Sequence, residues 1–220
     1  MSPWLLLVAS YLLGAVPASY VAGRLAKGID LREHGSGNLG ATNTFRVLGA
    51  KVAAPVMLFD VLKGFVPAWW FPRWDASADW RWALAYGAAA IVGHVFSIYM
   101  RFRGGKGVAT GAGVFLALAP AAVGGAFLVW LVTLRLSRMV SLASILAAAT
   151  VIGLVWLSTD RLEVQLLGAA IGGFVVFAHR ANLGRILRGE EHRFGKRAAE
   201  HPAQTTVAAA AAVADAEDEP

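Results

Sequence analysis

Three short polar segments interrupt an otherwise apolar chain, and each carries groups able to hold an anion. GSGNLGATNTFR covers residues 35–46, RGGKGVAT covers 103–110 and HRANLGRILRGEE covers 179–191. Glycine permits positive φ, so successive backbone N–H groups in such segments can converge on one phosphate. A helix starting just beyond adds its own free N–H groups and its dipole. Arg46 and Lys106 stand where the second and fourth spanning helices are expected to begin. Both are therefore candidate phosphate ligands, with Ser36, Asn38, Thr42 and Asn43 as neutral donors.

Familiar phosphate and acyl-transfer signatures fail on inspection. GSGNLG fits the dinucleotide fingerprint in letters only: no buried strand precedes it, and Asp60, the acidic residue some twenty positions on, falls inside an apolar run. GGKGVAT lacks the Walker A spacing. No histidine is followed five positions later by aspartate, which removes the H-x-x-x-x-D acyltransferase dyad. With no cysteine, thiolate chemistry and disulfides are excluded. His94 lies within an apolar run and must be paired there, either structurally beneath the GGKG segment or toward a substrate. His179 and Asn182 are spaced i, i+3 and share a face if the helix continues. Asp60 and Lys63 have the same spacing, and mutual charge compensation is their simplest role. A Gly-Lys loop alone is more often a turn with a snorkelling lysine than a site. Two basic Gly-rich loops on one membrane face make the anion-binding reading the stronger.

The elements that must position these groups are membrane spans. The chain of 220 residues is 57% hydrophobic with a mean hydropathy of +0.58, and only 15% of it is charged, against roughly 25% in soluble domains. The net charge of +6 is read as positive loops beside a bilayer, not as nucleic-acid binding. Apolar runs cover about residues 3–23, 47–71, 82–99, 108–134, 139–157 and 164–178. The first has no cationic segment before it and is read as a retained span. Pro120 breaks the fourth run. As one helix that run would be about 40 Å long, too long for a ~30 Å hydrocarbon core; as two helices, each would be about 20 Å. Charge decides. With a break, and the N-terminus outside, sixteen Lys/Arg fall inside and three (Arg73, Arg81, Arg161) outside, with Lys63 in a span; without it the split is nine to ten. The positive-inside rule selects about seven spans, an all-α polytopic bundle with a short re-entering pair around Pro120. One integral-membrane domain is expected over residues 1–197. Residues 198–220, Ala-rich and then acidic, are expected to be disordered.

The three segments, with FDVLKG at 59–64 and GHVFSIYMRFRGGKGVAT at 93–110, resemble the bacterial acyl-phosphate–glycerol-3-phosphate acyltransferases over about residues 5–195. The motifs have that family's order and spacing. The resemblance implies a seven-span inner-membrane enzyme with its active site toward the cytoplasm. It implies acyl transfer from acyl phosphate to the sn-1 hydroxyl of glycerol 3-phosphate, giving lysophosphatidic acid and inorganic phosphate for phospholipid synthesis. No cofactor, metal or nucleic acid is implied, and neither acyl-CoA nor acyl carrier protein is the direct donor. A functional link to the enzyme that makes acyl phosphate follows. By the same resemblance Ser36, Arg46, His179 and Asn182 are catalytic, Gly104, Gly105, Lys106 and Gly107 bind the glycerol 3-phosphate, and Glu190 is structural. Two residues depart from the pattern: Ser97 replaces a usual proline, and Arg103 a common lysine. Both imply altered loop geometry. Two readings compete: a membrane transporter for an organic phosphate, to which broken helices and buried charges are also suited, and a structural membrane protein, which leaves the loops unexplained.

Overall fold

The structure, a computed structural model, describes residues 1–194; the acidic tail expected from residue 198 lies outside the described residues. Their regular structure is all helical, with no strand among the described residues. Helix α1, Pro3–Ala15, stops before Pro17, and α2, Ala18–Lys27, follows and ends on a left-handed Gly28. Then come α3 (Ala41–Leu48), α4 (Ala50–Trp69), α5 (Phe71–Trp74) and α6 (Arg81–Val95). Helices α7 (Val108–Leu118), α8 (Pro120–Ser137), α9 (Val140–Ser158), α10 (Leu162–Ala178) and α11 (Arg180–Leu187) complete the chain. Five stretches, Pro3–Lys27, Ala50–Trp74, Arg81–Met100, Pro120–Ser137 and Val140–Ser158, are long and apolar enough to cross a membrane. The α10–α11 pair, bent by 54°, makes a sixth, and the shorter apolar α7 brings the set to the expected seven.

Proline and glycine set the breaks. At Ala119 the backbone leaves the helical region (φ −149°, ψ 68°), and Pro120 opens α8, where its missing N–H is no loss. Beyond that point α8 returns toward the end from which α7 set out. Lys106, just before α7, bonds Asn182, and Asn182 bonds Glu191. Glu191 accepts from Ser141 at the start of α9, and Phe194 N–H donates to the Arg138 carbonyl after α8. The pair is thus a helical hairpin. The expectation of two equally short arms is corrected: 18 residues make α8 about 27 Å long, whereas 11 make α7 about 17 Å.

The contact between α4 and α7 is made backbone to backbone at two places. A Cβ on Gly113 of α7 would strike the Val61 carbonyl of α4, and one on Gly64 of α4 would strike the Thr110 carbonyl of α7. Without a hydrophobic drive between helices in lipid, such close approach supplies the dispersion contact that holds them together. Polar groups sort to the two ends of the bundle. The three motif segments meet at one. At the other, the N-terminal ammonium bonds the Trp74 carbonyl, Arg81 pairs with Glu163, and Arg161 lies over the Trp80 ring.

Candidate active site

The first motif is a loop folded onto its own helix. Gly35 and Gly37 have positive φ (63° and 70°), and Gly40 caps the start of α3. Asn43, 1% exposed, ties the turn down: its Oδ1 accepts from Ser36 N–H (2.8 Å), and its Nδ2 donates to the Leu31 and His34 carbonyls. The amide expected to touch phosphate therefore holds the loop. Asn38, Thr42 and the exposed Ser36 border the adjoining cavity. Arg46 does not start the second span, as its place in the sequence suggested. It lies in the last turn of the short helix α3, one turn beyond Thr42, because Gly49 (φ 83°) separates α3 from α4. Its side chain makes no ion pair among the described residues.

The second motif passes so close to α6 that only glycine fits. Gly104 and Gly105 N–H groups donate to the Val95 and His94 carbonyls, and a Cβ on Gly105 would strike the His94 ring and the Leu39 carbonyl. Gly107 (φ 79°) then caps α7, aiming the helix start at the cavity. Behind this loop is a small polar chamber of about 10 Å³ lined by Asp60, Lys63, His94, Ser97, Gly104 and Gly105, among others. Lys63 Nζ is 2.7 Å from Asp60 Oδ1 and donates to the Val16 carbonyl, while His94 Nδ1 is 3.7 Å from the same carboxylate. Ser97 Oγ donates to the Ala15 carbonyl at 2.6 Å, a bond that a proline there could not make.

The third motif bends at its histidine. His179 Nδ1 is 2.8 Å from the Val175 carbonyl, which can only accept. The Nδ1 therefore carries the hydrogen, and Nε2 keeps the lone pair. Asn182 Oδ1 accepts from Lys106 Nζ, and its Nδ2 donates to Glu191 Oε1 at 2.7 Å. Ser141 Oγ reaches that same oxygen at 2.7 Å, and Arg185 Nε reaches Oε2 at 2.8 Å. The carboxylate bracing this cluster is thus Glu191. Glu190, expected in that role, is exposed and pairs with Arg188. Positive φ at Gly189 (73°) turns the chain so that the second of the two glutamates points inward.

All three motifs border one cavity of about 1010 Å³. Ser36, Asn38, Thr42, Arg46, Asp60, Gly104, Lys106, Gly107, His179, Asn182 and a margin of Asn43 and Glu190 contribute to its wall; Gly105, Lys63 and His94 lie behind it in the small chamber. Sequence reasoning missed Ser141, Ser144, Trp130 and Arg185, which also border it. Burial lowers the Lys106 ammonium to about 8; Glu191 opposes the shift, while Arg185 and Arg46 add to it. At Glu191 burial works against ionisation, but the bonds from Asn182, Ser141 and Arg185 outweigh it and hold the carboxyl below its ordinary range. The polar mouth is therefore a cluster of cations braced by the carboxylate of Glu191. Lys106 and Arg46 have no carboxylate partner among the described residues, so both remain available to an incoming dianion. Away from that mouth the wall is apolar, formed by α7, α8, α9 and α10.

The family profile described as glycerol-3-phosphate acyltransferase matches residues 4–189. A glycerol-3-phosphate acyltransferase of Synechococcus elongatus is 47% identical over 195 residues, 86% of this chain and 92% of its own. Those of Listeria monocytogenes and Aquifex aeolicus are 44% and 40% identical, covering 85% and 88% of this chain and 94% and 100% of theirs. The solved structure of PlsY (YgiH), an integral membrane glycerol 3-phosphate acyltransferase, in its glycerol 3-phosphate form, is similar with a TM-score of 0.82 at 39% identity, covering 88% of this chain and 96% of that one. Its lysophosphatidic acid form gives 0.79 at 38% identity, with 88% and 95% covered.

Proposed function

The chain belongs to the glycerol-3-phosphate acyltransferase family, an integral membrane enzyme, and from that premise we propose that it moves an acyl group from acyl phosphate to the sn-1 hydroxyl of glycerol 3-phosphate. The observation that carries this reading is the single cavity with a cationic mouth and an apolar body, bordered by all three motifs. Both substrates carry phosphate, and the mouth offers Lys106, Arg46 and the starts of α3 and α7. The acyl chain takes the apolar body.

The hydroxyl oxygen attacks the acyl carbonyl carbon, the carbon–oxygen bond to phosphate breaks, and inorganic phosphate leaves. The donor is already activated, so no covalent enzyme intermediate is needed. The work of the protein is to hold two anions in line and to stabilise charge growing on the carbonyl oxygen. Ser36 and Arg46 of the first motif suit that second task, and Lys106, anchored to Asn182, suits the first. Two acceptors fit the hydroxyl proton: Nε2 of His179, left free by the Val175 bond, and an oxygen of the departing phosphate. The site faces the cytoplasm of a bacterial inner membrane, supported by the sixteen-to-three charge split. The enzyme that makes acyl phosphate is its functional neighbour.

The test supplies purified protein with labelled glycerol 3-phosphate and one donor at a time. Lysophosphatidic acid should form with acyl phosphate and not with acyl-CoA. Turnover with acyl-CoA alone would overturn the donor assignment.

A further inference from the structure

The apolar body of the cavity ends on a built floor. Phe115 of α7 and Gly168 of α10 border the cavity from the side away from the polar mouth, with Val151 of α9 beside them. The Phe115 ring is only 2% exposed and is held from behind by Ala122, Val155 and Val164, on α8, α9 and α10. Along α9 from Ser141 to Val151, or along α10 from Ala178 back to Gly168, the floor lies about 15 Å from the mouth. That depth is on the scale of a fatty-acyl chain. Beyond the floor the same cluster continues to Trp80 and Ala119 at the opposite end of the bundle, so the chain meets packed side chains there.

Gly168 leaves the space over the ring open. A Cβ there would stand 3.6 Å from Val155 Cγ1 and 3.7 Å from Phe115 Cζ, which is ordinary contact. Alanine is accommodated, whereas any longer side chain must extend over the ring into the cavity. We propose that Phe115 and Gly168 form a stop that sets the longest acyl chain this enzyme accepts, an inference that rests on the acyl-transfer reading above. A terminal methyl that reaches the ring has no further space beyond it, and each additional methylene must then turn aside, bend back or be left in the mouth.

The experiment measures kcat/KM over a ladder of donors, from decanoyl through lauroyl, myristoyl and palmitoyl to stearoyl phosphate. Gly168→Leu should lose activity progressively with chain length, by about tenfold or more for each methylene that no longer fits. Gly168→Ala, which meets only ordinary contacts, should move the profile the same way by a smaller step. Phe115→Ala should move it toward longer chains. A uniform loss at every length, or an unmoved profile in both Gly168 variants, would overturn the stop. Thermal stabilisation of native protein and variants by lysophosphatidic acids of the same lengths gives a second readout that uses no acyl phosphate. If the native enzyme turned over no acyl phosphate the donor reading would fall, and the lysophosphatidic acid ranking alone would then uphold the stop by shifting with Gly168, or overturn it by staying fixed.

Discussion

Lys106 connects two loops through one side chain, so its removal should have a particular kinetic signature. Its ammonium can hold the phosphate in ground and transition states alike, and it is kept in place by Asn182 and, through it, Glu191. Losing a charge-assisted hydrogen bond costs about 1.5–3 kcal/mol, so Lys106→Ala should raise KM for glycerol 3-phosphate roughly 10- to 150-fold with kcat less affected. Alanine at Ser36 or Arg46 should instead lower kcat, if those groups meet charge that grows only in the transition state. The opposite split would show the loops exchanged. A pH profile sharpens the test. With its ammonium lowered to about 8, Lys106 is charged below that pH and neutral above it. The native kcat/KM for glycerol 3-phosphate should therefore fall as pH rises through about 8, whereas Lys106→Arg, which stays charged, should not show that fall. The identity of these residues was legible in the sequence because glycine, lysine and arginine are conspicuous in an apolar chain. Their exact partners were not. Glu190 and Glu191 are chemically alike and adjacent, and only the turn at Gly189 decides which points inward. Ser141 sits at the head of an apolar run, where a serine reads as an ordinary helix start.

Among the elements, α4 and α7 form the frame on which the site is mounted. One carries Asp60 and Lys63; the other begins at the GGKG loop. Gly113 lets the two backbones touch, and an added methyl would meet the Val61 carbonyl and the Phe65 nitrogen, neither of which can rotate away. Gly113→Ala should therefore destabilise the protein by about 1–3 kcal/mol, as overpacking does. It should also raise KM, because α7 is displaced from the helix behind it. Gly153→Ala on α9 meets nothing within 4 Å and should stay within about 0.5 kcal/mol of native. Thermal unfolding in detergent, with kinetics on the same samples, checks both; equal effects from the two would mean that the glycine contact is not what seats α7. The sequence marked the helices well where apolar runs were long. It missed the separate α2, α3 and α11 because these are short and amphipathic, and their boundaries are set by Pro17, Gly49 and the bend at His179. The reach of α8 to Ser137 went unread for a related reason: the helix runs past its apolar stretch and Arg135, and stops only at the left-handed Arg138.

At the scale of the whole molecule, the number of spans was legible because membrane insertion itself responds to the feature used to count them, the distribution of lysine and arginine. The cavity was not legible, since its wall draws on seven helices whose sequence order says nothing about depth. The topology can still be tested directly. The α7–α8 hairpin puts Lys106 and Arg138 at one end of the bundle, joined through Asn182, Glu191, Ser141 and Phe194. Arg73, Arg81 and Arg161 belong to the opposite end, where Arg81 pairs with Glu163 and Arg161 covers Trp80. A reporter active only in the cytoplasm, fused after Arg138, should therefore be active, and the same reporter fused near Pro120 should be silent. A reporter active only outside should give the reverse pattern. If both positions reported the outside, only one of α7 and α8 would cross, and the cationic loops would be divided between two compartments. One cavity could not then gather Arg46, Lys106 and Asn182, and the phosphate-binding mouth would fail together with the topology.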